Sequence, residues 1–324
     1  MKKKILIISY YWPPAGGPGV QRWLKFVKYL PEFNLSPVLF VPKNANYPIN
    51  DNSLKSEVSN DLEIIKLPIF ELSNFFPRLK SLNSIRSGNI SKNKNQSILQ
   101  KIIFFIRGNL FIPDMKIFWK RNSVNFLENY ISENNIETIV TTGPPHSLHL
   151  IGLELSRKLN INWISDFRDP WVNLNYLNRF HLLPFVKKYH KKLRDKVINN
   201  SDAVIVTSKR LKDLYSEINS SIFQVTNGYD YNKPVIKLDK KFSISHVGSL
   251  YNERNPEFLW DIIDELSENL QGFKEDLQIN LIGNNNKKIK QNLSKRVFND
   301  CVVCYDYVEH KKAIEFMCSS QVLL

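Results

Sequence analysis

The sequence predicts an α/β protein made of two Rossmann-like halves that face each other across a cleft. Short apolar runs alternate with segments of helical spacing, a pattern typical of parallel sheets built from right-handed βαβ units. The alternation restarts after Lys241, and Asn-Gly and Lys-Pro pairs between residues 227 and 239 indicate turns at the break. We therefore predict a first domain over residues 1–235 and a second, incomplete domain over residues 236–324.

The first half has six apolar runs of strand length, at Ile5–Ser9, Ser36–Val41, Leu62–Leu67, Thr138–Thr142, Asn162–Asp166 and Ala203–Thr207. Helical spacing of apolar residues predicts three helices, at Val20–Leu30, Ser147–Leu159 and Phe185–Asn200. Pro31 ends the first of these helices. Residues 73–97 are rich in Ser, Asn and Lys and are predicted to be loop or disordered, within a basic insertion over residues 73–120.

The second half repeats this pattern. Strands are predicted at Phe242–Val247, Leu277–Ile282 and Val302–Tyr305, and helices at Pro256–Leu270 and Lys311–Cys318. The last run, Gln321–Leu324, has the composition of a strand with nothing after it. Because a domain usually has about 100–150 residues, we expect the chain to be truncated.

The composition excludes several classes of protein. An aromatic content of 12% is too high for a wholly disordered chain, and 11 glycines in 324 residues are too few for a collagen-like one. Three cysteines exclude a disulfide scaffold. No apolar run approaches the ~18 residues of a membrane span, and the run after Lys4 is too short for a signal peptide. We expect a reducing, cytoplasmic location.

The excess positive charge lies entirely in the first half. Residues 1–235 contain 33 basic and 18 acidic residues, whereas residues 236–324 contain 12 and 13. This asymmetry indicates an anionic partner, either nucleic acid or an anionic membrane surface, unless it is a composition bias without a target. Ser97–Pro113 is apolar and basic, and its pattern fits either a helix at a bilayer interface or a core helix.

The first candidate site is the loop Pro13–Gly19, between the first strand and the first helix. Gly16, Gly17 and Gly19 would let the backbone approach a ligand, and the helix start would offer N–H groups to an anion. The loop is not the dinucleotide fingerprint, because Arg22 stands where the third glycine belongs, and it is not a Walker A loop. A tight turn without a ligand is the alternative.

Two further candidate sites follow later strands of the same half. His146 lies at a strand-to-helix junction, where it would face the cleft or serve as a structural histidine. Asp166, Arg168 and Asp169 lie where the Asn162–Asp166 strand ends. Charged donors and acceptors in such a cluster can hold sugar hydroxyls. An Asp–Arg pair that fixes a turn is the alternative.

The second half has one comparable loop. Gly248 ends a strand, and Arg254 follows shortly before a helix. A cation beside a helix start suits a diphosphate, although an exposed Arg without a ligand fits equally. Cys301 and Cys304 have C-x-x-C spacing, but no second pair of zinc ligands is evident, so we predict that both are core residues.

Taken in order, these motifs resemble the bacterial glycosyltransferases of family 4, group 1, which have the GT-B fold. The resemblance covers most of the chain. It is carried by Ile8–Arg22, Phe111–Asp114, Thr142–Ser147 and Asp166–Trp171, by the hinge-like turn Thr226–Asp230, and by Tyr307–His310, which resembles a nucleotide-proximal loop.

The resemblance implies that a sugar passes from a nucleotide diphosphate sugar to a glycan or lipid-linked acceptor, with retention at the anomeric carbon. It implies a role in cell-surface polysaccharide synthesis, with no metal and no cofactor besides the donor substrate. The donor would bind the second domain and the acceptor the first.

The resemblance also implies roles for particular residues. Asp166, Arg168, Asp169 and His146 would position the acceptor as the catalytic set. The donor and its phosphates would be bound by Gly16, Gly17, Gly19, Gly248, Ser249, Arg254, Gly283 and Val308. Asn227 and Gly228 would form the hinge. Ser249 stands where the family has an Arg, and the family's paired glutamates would lie beyond Leu324, so we expect little or no activity from these 324 residues.

Three other functions remain open at this point. A GT-B nucleotide-sugar epimerase would alter its nucleotide sugar without an acceptor, and a fragment could bind the nucleotide sugar without catalysis. A basic nucleic-acid-binding protein is more remote, because the chain has no recognised nucleic-acid module. We therefore expect no nucleic-acid partner, and we expect peripheral contact with an anionic membrane at the inner face of the cell membrane.

Overall fold

The computed structural model describes residues 2–71, 98–172, 180–230, 237–250, 254–283 and 287–324. The predicted polar segment 73–97 lies outside the described residues. The contacts divide the chain into two compact units, with most of the chain up to Asp230 in the N-terminal unit and most of the remainder in the C-terminal unit.

The N-terminal unit contains a seven-stranded parallel sheet with the strand order β3-β2-β1-β4-β5-β6-β7. The strands are β1 (Lys3–Ile8), β2 (Leu35–Pro42), β3 (Glu63–Leu67), β4 (Thr138–Gly143), β5 (Asn162–Phe167), β6 (Ala203–Val206) and β7 (Ile222–Gln224). The helices are α1 (Pro18–Tyr29), α2 (Ile98–Leu110), α3 (Trp119–Glu133), α4 (Ser147–Leu159), α5 (Pro184–Asn200) and α6 (Lys209–Ser216).

The central strand β1 shows why this sheet has helices on both faces. Leu6 and Ile8 belong to one hydrophobic cluster, and Ile5 and Ile7 belong to another. Successive side chains of a strand point to opposite faces, so a continuous apolar run needs cover on both sides. The apolar residues of α1, including Trp23, supply part of that cover.

The C-terminal unit contains a four-stranded parallel sheet with the order β10-β9-β8-β11. Its strands are β8 (Phe242–Val247), β9 (Leu277–Ile282), β10 (Val302–Tyr305) and β11 (Val322–Leu323). Its helices are α7 (Glu257–Asn269), α8 (Phe273–Asp276), α9 (Lys287–Leu293) and α10 (His310–Ser319). Trp260 and Phe298 are buried in its hydrophobic core.

The α/β prediction is confirmed by these two parallel sheets, and every predicted strand is present. The prediction missed α3, α6, α8 and α9, whose sequences are mostly polar, and the three-residue edge strand β7. It was wrong for Cys304, which is exposed rather than core. The reason is that β10 is an edge strand and is paired on one side only.

Candidate active site

The candidate site of the N-terminal unit lies where the strand order of the sheet reverses, between β1 and β4. In open parallel sheets, ligands bind outside the carboxyl ends of the strands at such a switch point. Gly16 and Gly17 lie in the loop after β1 and Gly19 lies in the first turn of α1, which starts two residues earlier than predicted. His146 follows β4, and Arg168 follows β5. The topology therefore brings these three predicted motifs to one edge of the sheet.

Close approach of a side chain explains the glycine in the first turn of α1. Gly17 precedes α1 with φ 99°, and Gly16 N donates to the carbonyl of Ile49 at 3.0 Å. A Cβ on Gly19 would overlap the guanidinium of Arg168. Glycine at position 19 therefore allows the start of α1 to lie directly against the Arg168 side chain.

Asp166 is fully buried, and its carboxylate is saturated with hydrogen bonds. It accepts from Arg22 Nη2 at 2.9 Å and Nε at 3.3 Å, from Trp23 Nε1 at 2.8 Å and from Thr142 Oγ1 at 2.9 Å. Arg22 is also fully buried at its side chain. These contacts join β5 to α1 and β4, so Asp166 shapes the site by holding these elements together.

The residues predicted as the hinge are attached to the same helix. Arg22 Nη1 donates to Asn227 Oδ1 and to the carbonyl of Thr226, both at 3.1 Å. Gly228 is exposed, with open space around it. Asp230 accepts hydrogen bonds from Lys28 and Tyr29 of α1 and forms an ion pair with Lys25 of the same helix. Although burial opposes ionisation, these hydrogen bonds lower the pKa of Asp230 to about 2.

Arg168 joins the loops that follow three strands. Its backbone N–H donates to the carbonyl of Gly143 at 3.0 Å, and its Nε donates to the same carbonyl at 3.3 Å. Its Nη2 donates to the carbonyl of Pro144, and the guanidinium lies 5.6 Å from the ring centroid of Tyr11. Arg168 is half-buried and Asp169 is exposed, so both lie at the solvent edge of this network.

His146 lies in a stack of aromatic rings. Its ring is 4.8 Å from that of Trp171 with an interplanar angle of 7°, and it is 5.9 Å from that of Phe167. The side chain is buried. His146 thus packs beneath the edge that carries Arg168 and Asp169.

His149, one turn further along α4, was not predicted from the sequence. Thr141 Oγ1 accepts from Trp163 Nε1 at 2.9 Å and shares a second hydrogen bond of 2.8 Å with His149 Nδ1. Burial, with His146 and Arg168 nearby, holds the pKa of His149 well below its usual range. The signal available in the sequence was the His-x-x-His spacing at a helix start.

Asp114 explains one of the sequence landmarks. Its carboxylate accepts from Ser147 N at 3.0 Å and from Ser147 Oγ at 2.9 Å, at the first residue of α4. A carboxylate at this end satisfies a free N–H group and complements the helix dipole. The start of α4 is therefore already occupied by an anion from this chain.

A cluster of tyrosines, also missed from the sequence, lies beside the end of β1. The rings of Tyr10 and Tyr11 are 4.9 Å apart, and Tyr47 donates from its hydroxyl to the carbonyl of Tyr10 at 3.1 Å. Buried Glu71 accepts from the Tyr10 hydroxyl and from Lys116 Nζ. Burial, with Glu71 nearby, raises the pKa of Tyr47. Tyr10 is buried, whereas Tyr11 and Tyr47 are half-buried beside this edge.

In the C-terminal unit, two predicted donor residues meet through their backbones. Gly248 N donates to the carbonyl of Ile282 at 2.8 Å, and Gly283 N donates to the carbonyl of Tyr305 at 3.1 Å. Gly283 has φ 114°, and a Cβ there would overlap the carbonyl oxygen of Gly248. Only glycine lets the ends of β8 and β9 approach this closely.

The other predicted donor residues lie further along these loops. Ser249 and Val308 are half-buried, whereas Arg254 is exposed. The start of α7 is held by Trp260 Nε1, which donates to Asn255 Oδ1 at 2.8 Å. Asn255 also lines an open polar cavity of about 430 Å³, together with Glu257, Lys288, Gln291 and Asn292. The structure brings Gly248 and Gly283 together. It leaves Arg254 exposed, one residue before Asn255 in the chain.

The described residues contain no group of three or more His, Cys, Asp or Glu side chains placed to hold a metal ion. None of their helices combines the length and the apolar character that crossing a membrane requires.

The fold is shared with solved glycosyltransferases. The structure of TarM matches with a TM-score of 0.62 at 11% identity, over all of this chain and 80% of that one. Sucrose-phosphate synthase from Thermosynechococcus elongatus matches with 0.57 at 14% identity, over 99% and 74%. HepE from Anabaena, in complex with UDP-glucose, matches with 0.56 at 10% identity, over 99% and 72%. These neighbours are GT-B glycosyltransferases, and the chain has the Rossmann-like units of that fold, as the resemblance implied.

One neighbour has a different activity in its name. A UDP-N-acetylglucosamine 2-epimerase from Listeria monocytogenes matches with a TM-score of 0.55 at 12% identity, over all of this chain and 74% of that one. No family model matches the sequence. No curated protein matches it either.

Proposed function

We propose that this protein is a retaining glycosyltransferase that moves a hexose from a nucleotide diphosphate sugar to a glycan or lipid-linked acceptor in cell-surface polysaccharide synthesis. The observation that carries the proposal is the match of nearly the whole chain to GT-B enzymes, among them HepE in complex with UDP-glucose. The proposed location is the cytoplasm, at the inner face of the membrane.

In the C-terminal unit we assign the donor. Gly248 and Gly283 lie in backbone contact, so their loops can approach a diphosphate without side chains in the way. Arg254 is exposed and would neutralise the charge of the leaving diphosphate, with Ser249 beside Gly248. We assign Val308 to the neighbourhood of the base.

In the N-terminal unit we assign the acceptor. Arg168 and Asp169 lie at the solvent edge, where a guanidinium and a carboxylate can hold sugar hydroxyls. Asp166 and His146 are buried beneath them and fix the shape of this edge.

Two further assignments concern the start of α1 and the end of the N-terminal unit. We assign Gly16, Gly17 and Gly19 to the donor phosphates, and Asn227 and Gly228 to the hinge.

Transfer of the sugar requires little covalent catalysis from these residues. The leaving group is a diphosphate, so catalysis consists of stabilising its charge and of holding the acceptor hydroxyl against the anomeric carbon, on the face from which the diphosphate leaves, as retention requires. The Arg22–Asp166 pair and the Arg168 contacts are formed in advance, so the acceptor edge needs no reorganisation when a substrate arrives.

Calorimetric titration of the chain with UDP-, GDP- and ADP-linked hexoses tests the proposal. We expect one of them to bind, and Arg254→Ala to weaken its affinity about 10- to 100-fold, because a hydrogen bond to a charged group is lost. Lys295→Ala, at an exposed lysine of the same unit, is the matched control and should leave the affinity unchanged. Absence of binding by all three donors would reject the proposal.

A nucleotide-sugar epimerase is the second candidate, and the Listeria neighbour favours it. The two activities separate when the chain is incubated with its donor and no acceptor. An epimerase would convert the donor to its epimer, whereas a transferase would leave the sugar configuration unchanged. Proton NMR of the recovered nucleotide sugar distinguishes them.

A further inference from the structure

Helix α2 exposes a row of apolar side chains that the N-terminal unit does not bury. Ile98 and Leu110 are 77% and 72% exposed, and Ile102, Phe105 and Ile106 are each at least 40% exposed. Their spacing of three or four residues places them along one side of the helix. The opposite side faces inward through Phe104 and Asn109, which are buried.

Contacts of the inward side place the end of α2 beside the start of α5. Asn109 Oδ1 accepts from Leu183 N at 2.8 Å, and its Nδ2 donates to the carbonyl of His181 at 3.4 Å. Phe104 packs edge-on against Phe180 at 6.0 Å. The first turn of α5 therefore lies next to the last turns of α2.

Helix α5 adds aromatic and positively charged groups at that junction. Phe185 is 68% exposed and Tyr189 is 48% exposed. The helix contains six basic residues and one acidic residue, and all five of its lysines are exposed. Four of them lie in its first three turns: Lys187, Lys188, Lys191 and Lys192. We call the exposed apolar residues of α2, together with Phe185, Tyr189 and these four lysines, the α2–α5 surface.

We propose that the α2–α5 surface docks on an anionic lipid bilayer, with its apolar side chains in the interface and its lysines at the headgroups. Interfacial helices combine Phe and Leu-type side chains with Lys and Arg in this way. Protein interfaces, in contrast, are depleted in Lys at their centre. Helix α2 has Lys101 and Arg107 and no acidic residue, so it adds to the positive charge.

The proposal deepens the proposed function, because a lipid-linked acceptor is presented at a bilayer. Membrane binding is nevertheless measured without the transfer reaction, so the two can fail separately. If the chain binds vesicles but no nucleotide sugar, the membrane-docking proposal stands and the proposed enzymatic function is rejected. If it binds a nucleotide sugar but no vesicles, the proposed function stands and the docking proposal is rejected.

The test is flotation of the full chain with vesicles of phosphatidylcholine alone, or of equal parts phosphatidylcholine and phosphatidylglycerol. We expect binding to the anionic vesicles, weakening as salt is added. Ile102→Asp with Ile106→Asp should reduce partitioning at least about 30-fold, because two apolar side chains no longer enter the interface. Lys188→Glu with Lys192→Glu should reduce it roughly tenfold or more.

Matched controls carry the same changes on other exposed residues. Lys209→Glu with Lys212→Glu lies on α6, and Phe33→Asp replaces a phenylalanine that is 72% exposed. Both should partition like the unchanged chain, and circular dichroism melts should show that every variant folds.

Two results would overturn the proposal. One is absence of binding to the anionic vesicles, or binding that the α2 and α5 variants leave intact. The other is a dimer in solution that the Ile102→Asp, Ile106→Asp variant converts to a monomer, because a second copy of the chain would then cover this surface.

Discussion

The two units finish their central strands in different ways. In the N-terminal unit, the ends of β4 and β5 carry buried side chains bonded to one another, with the Arg22–Asp166 pair at their centre. In the C-terminal unit, β8 and β9 end in Gly248 and Gly283, which meet through their backbones. Side chains determine the geometry of the first edge, whereas the absence of side chains determines that of the second.

Both units bury small polar side chains inside their strands, but they differ in charge. Strands β8 and β9 bury small polar side chains that bond locally, as Asn280 Nδ2 does to Ser245 Oγ at 3.2 Å. The excess of basic residues belongs to the first part of the chain, where residues 1–235 hold 33 against 18 acidic ones. A substitution in the Arg22–Asp166 pair should act by leaving a buried charge unpaired. A substitution at Gly283 should act by forcing apart two backbone segments that are in contact.

Asp166→Asn should have the largest effect. It would leave the Arg22 guanidinium buried without its counter-charge, which costs about 3–5 kcal/mol of unfolding free energy. Hydrogen exchange of the β4 and β5 amides under denaturant would measure the loss. Asp169→Asn is the matched control at an exposed carboxylate, and it should change stability by less than about 0.5 kcal/mol. Equal effects of the two substitutions would contradict the structure.

Gly283→Ala should be the next largest and should act on the other unit. It forces φ 114° on an alanine and places its Cβ against the Gly248 carbonyl, which costs about 1–3 kcal/mol. Gly272→Ala separates the two causes, because Gly272 has φ 79° but open space around its Cα. Denaturant melts of both variants should show the larger loss at position 283. If position 272 costs as much, then strain alone is responsible and the contact adds nothing.

The pH dependence should give the smallest effect and again separate the units. Burial lowers the pKa of His149 in the folded chain below its unfolded value of 6.5, so the unfolded chain binds more protons below that pH. The N-terminal unit should therefore lose stability as the pH falls below about 6.5, by at most about 1.4 kcal/mol per pH unit for one proton.

The variant His149→Gln should remove part of that slope. His190, whose pKa burial also lowers, should retain the remainder. The control is His310→Gln in the C-terminal unit, and amide exchange of β4 between pH 5 and 7 is the measurement. An unchanged slope in His149→Gln would mean that this histidine is protonated in the folded chain.

Much of the fold was predictable because it depends on local patterns. The runs Ile5–Ser9 and Phe242–Val247 are apolar over strand length, and Val20–Leu30 has helical spacing, so each element was found close to its observed bounds. The glycine loop was predictable for the same reason, since glycine before a helix is a local signal. The short edge strand β7 was missed because three residues carry too little pattern.

The sequence by itself determined the order of strands and helices, the candidate motifs at the strand ends and the charge of each half. Only the tertiary structure decided that Arg22 pairs with Asp166, 144 residues further along the chain, that Asp114 caps α4, and that α2 exposes one side beside α5. The physical reason is that hydrophobic periodicity depends on residues close together in the sequence. The partner of a buried charge depends instead on which side chain the packed sheet brings within hydrogen-bond distance.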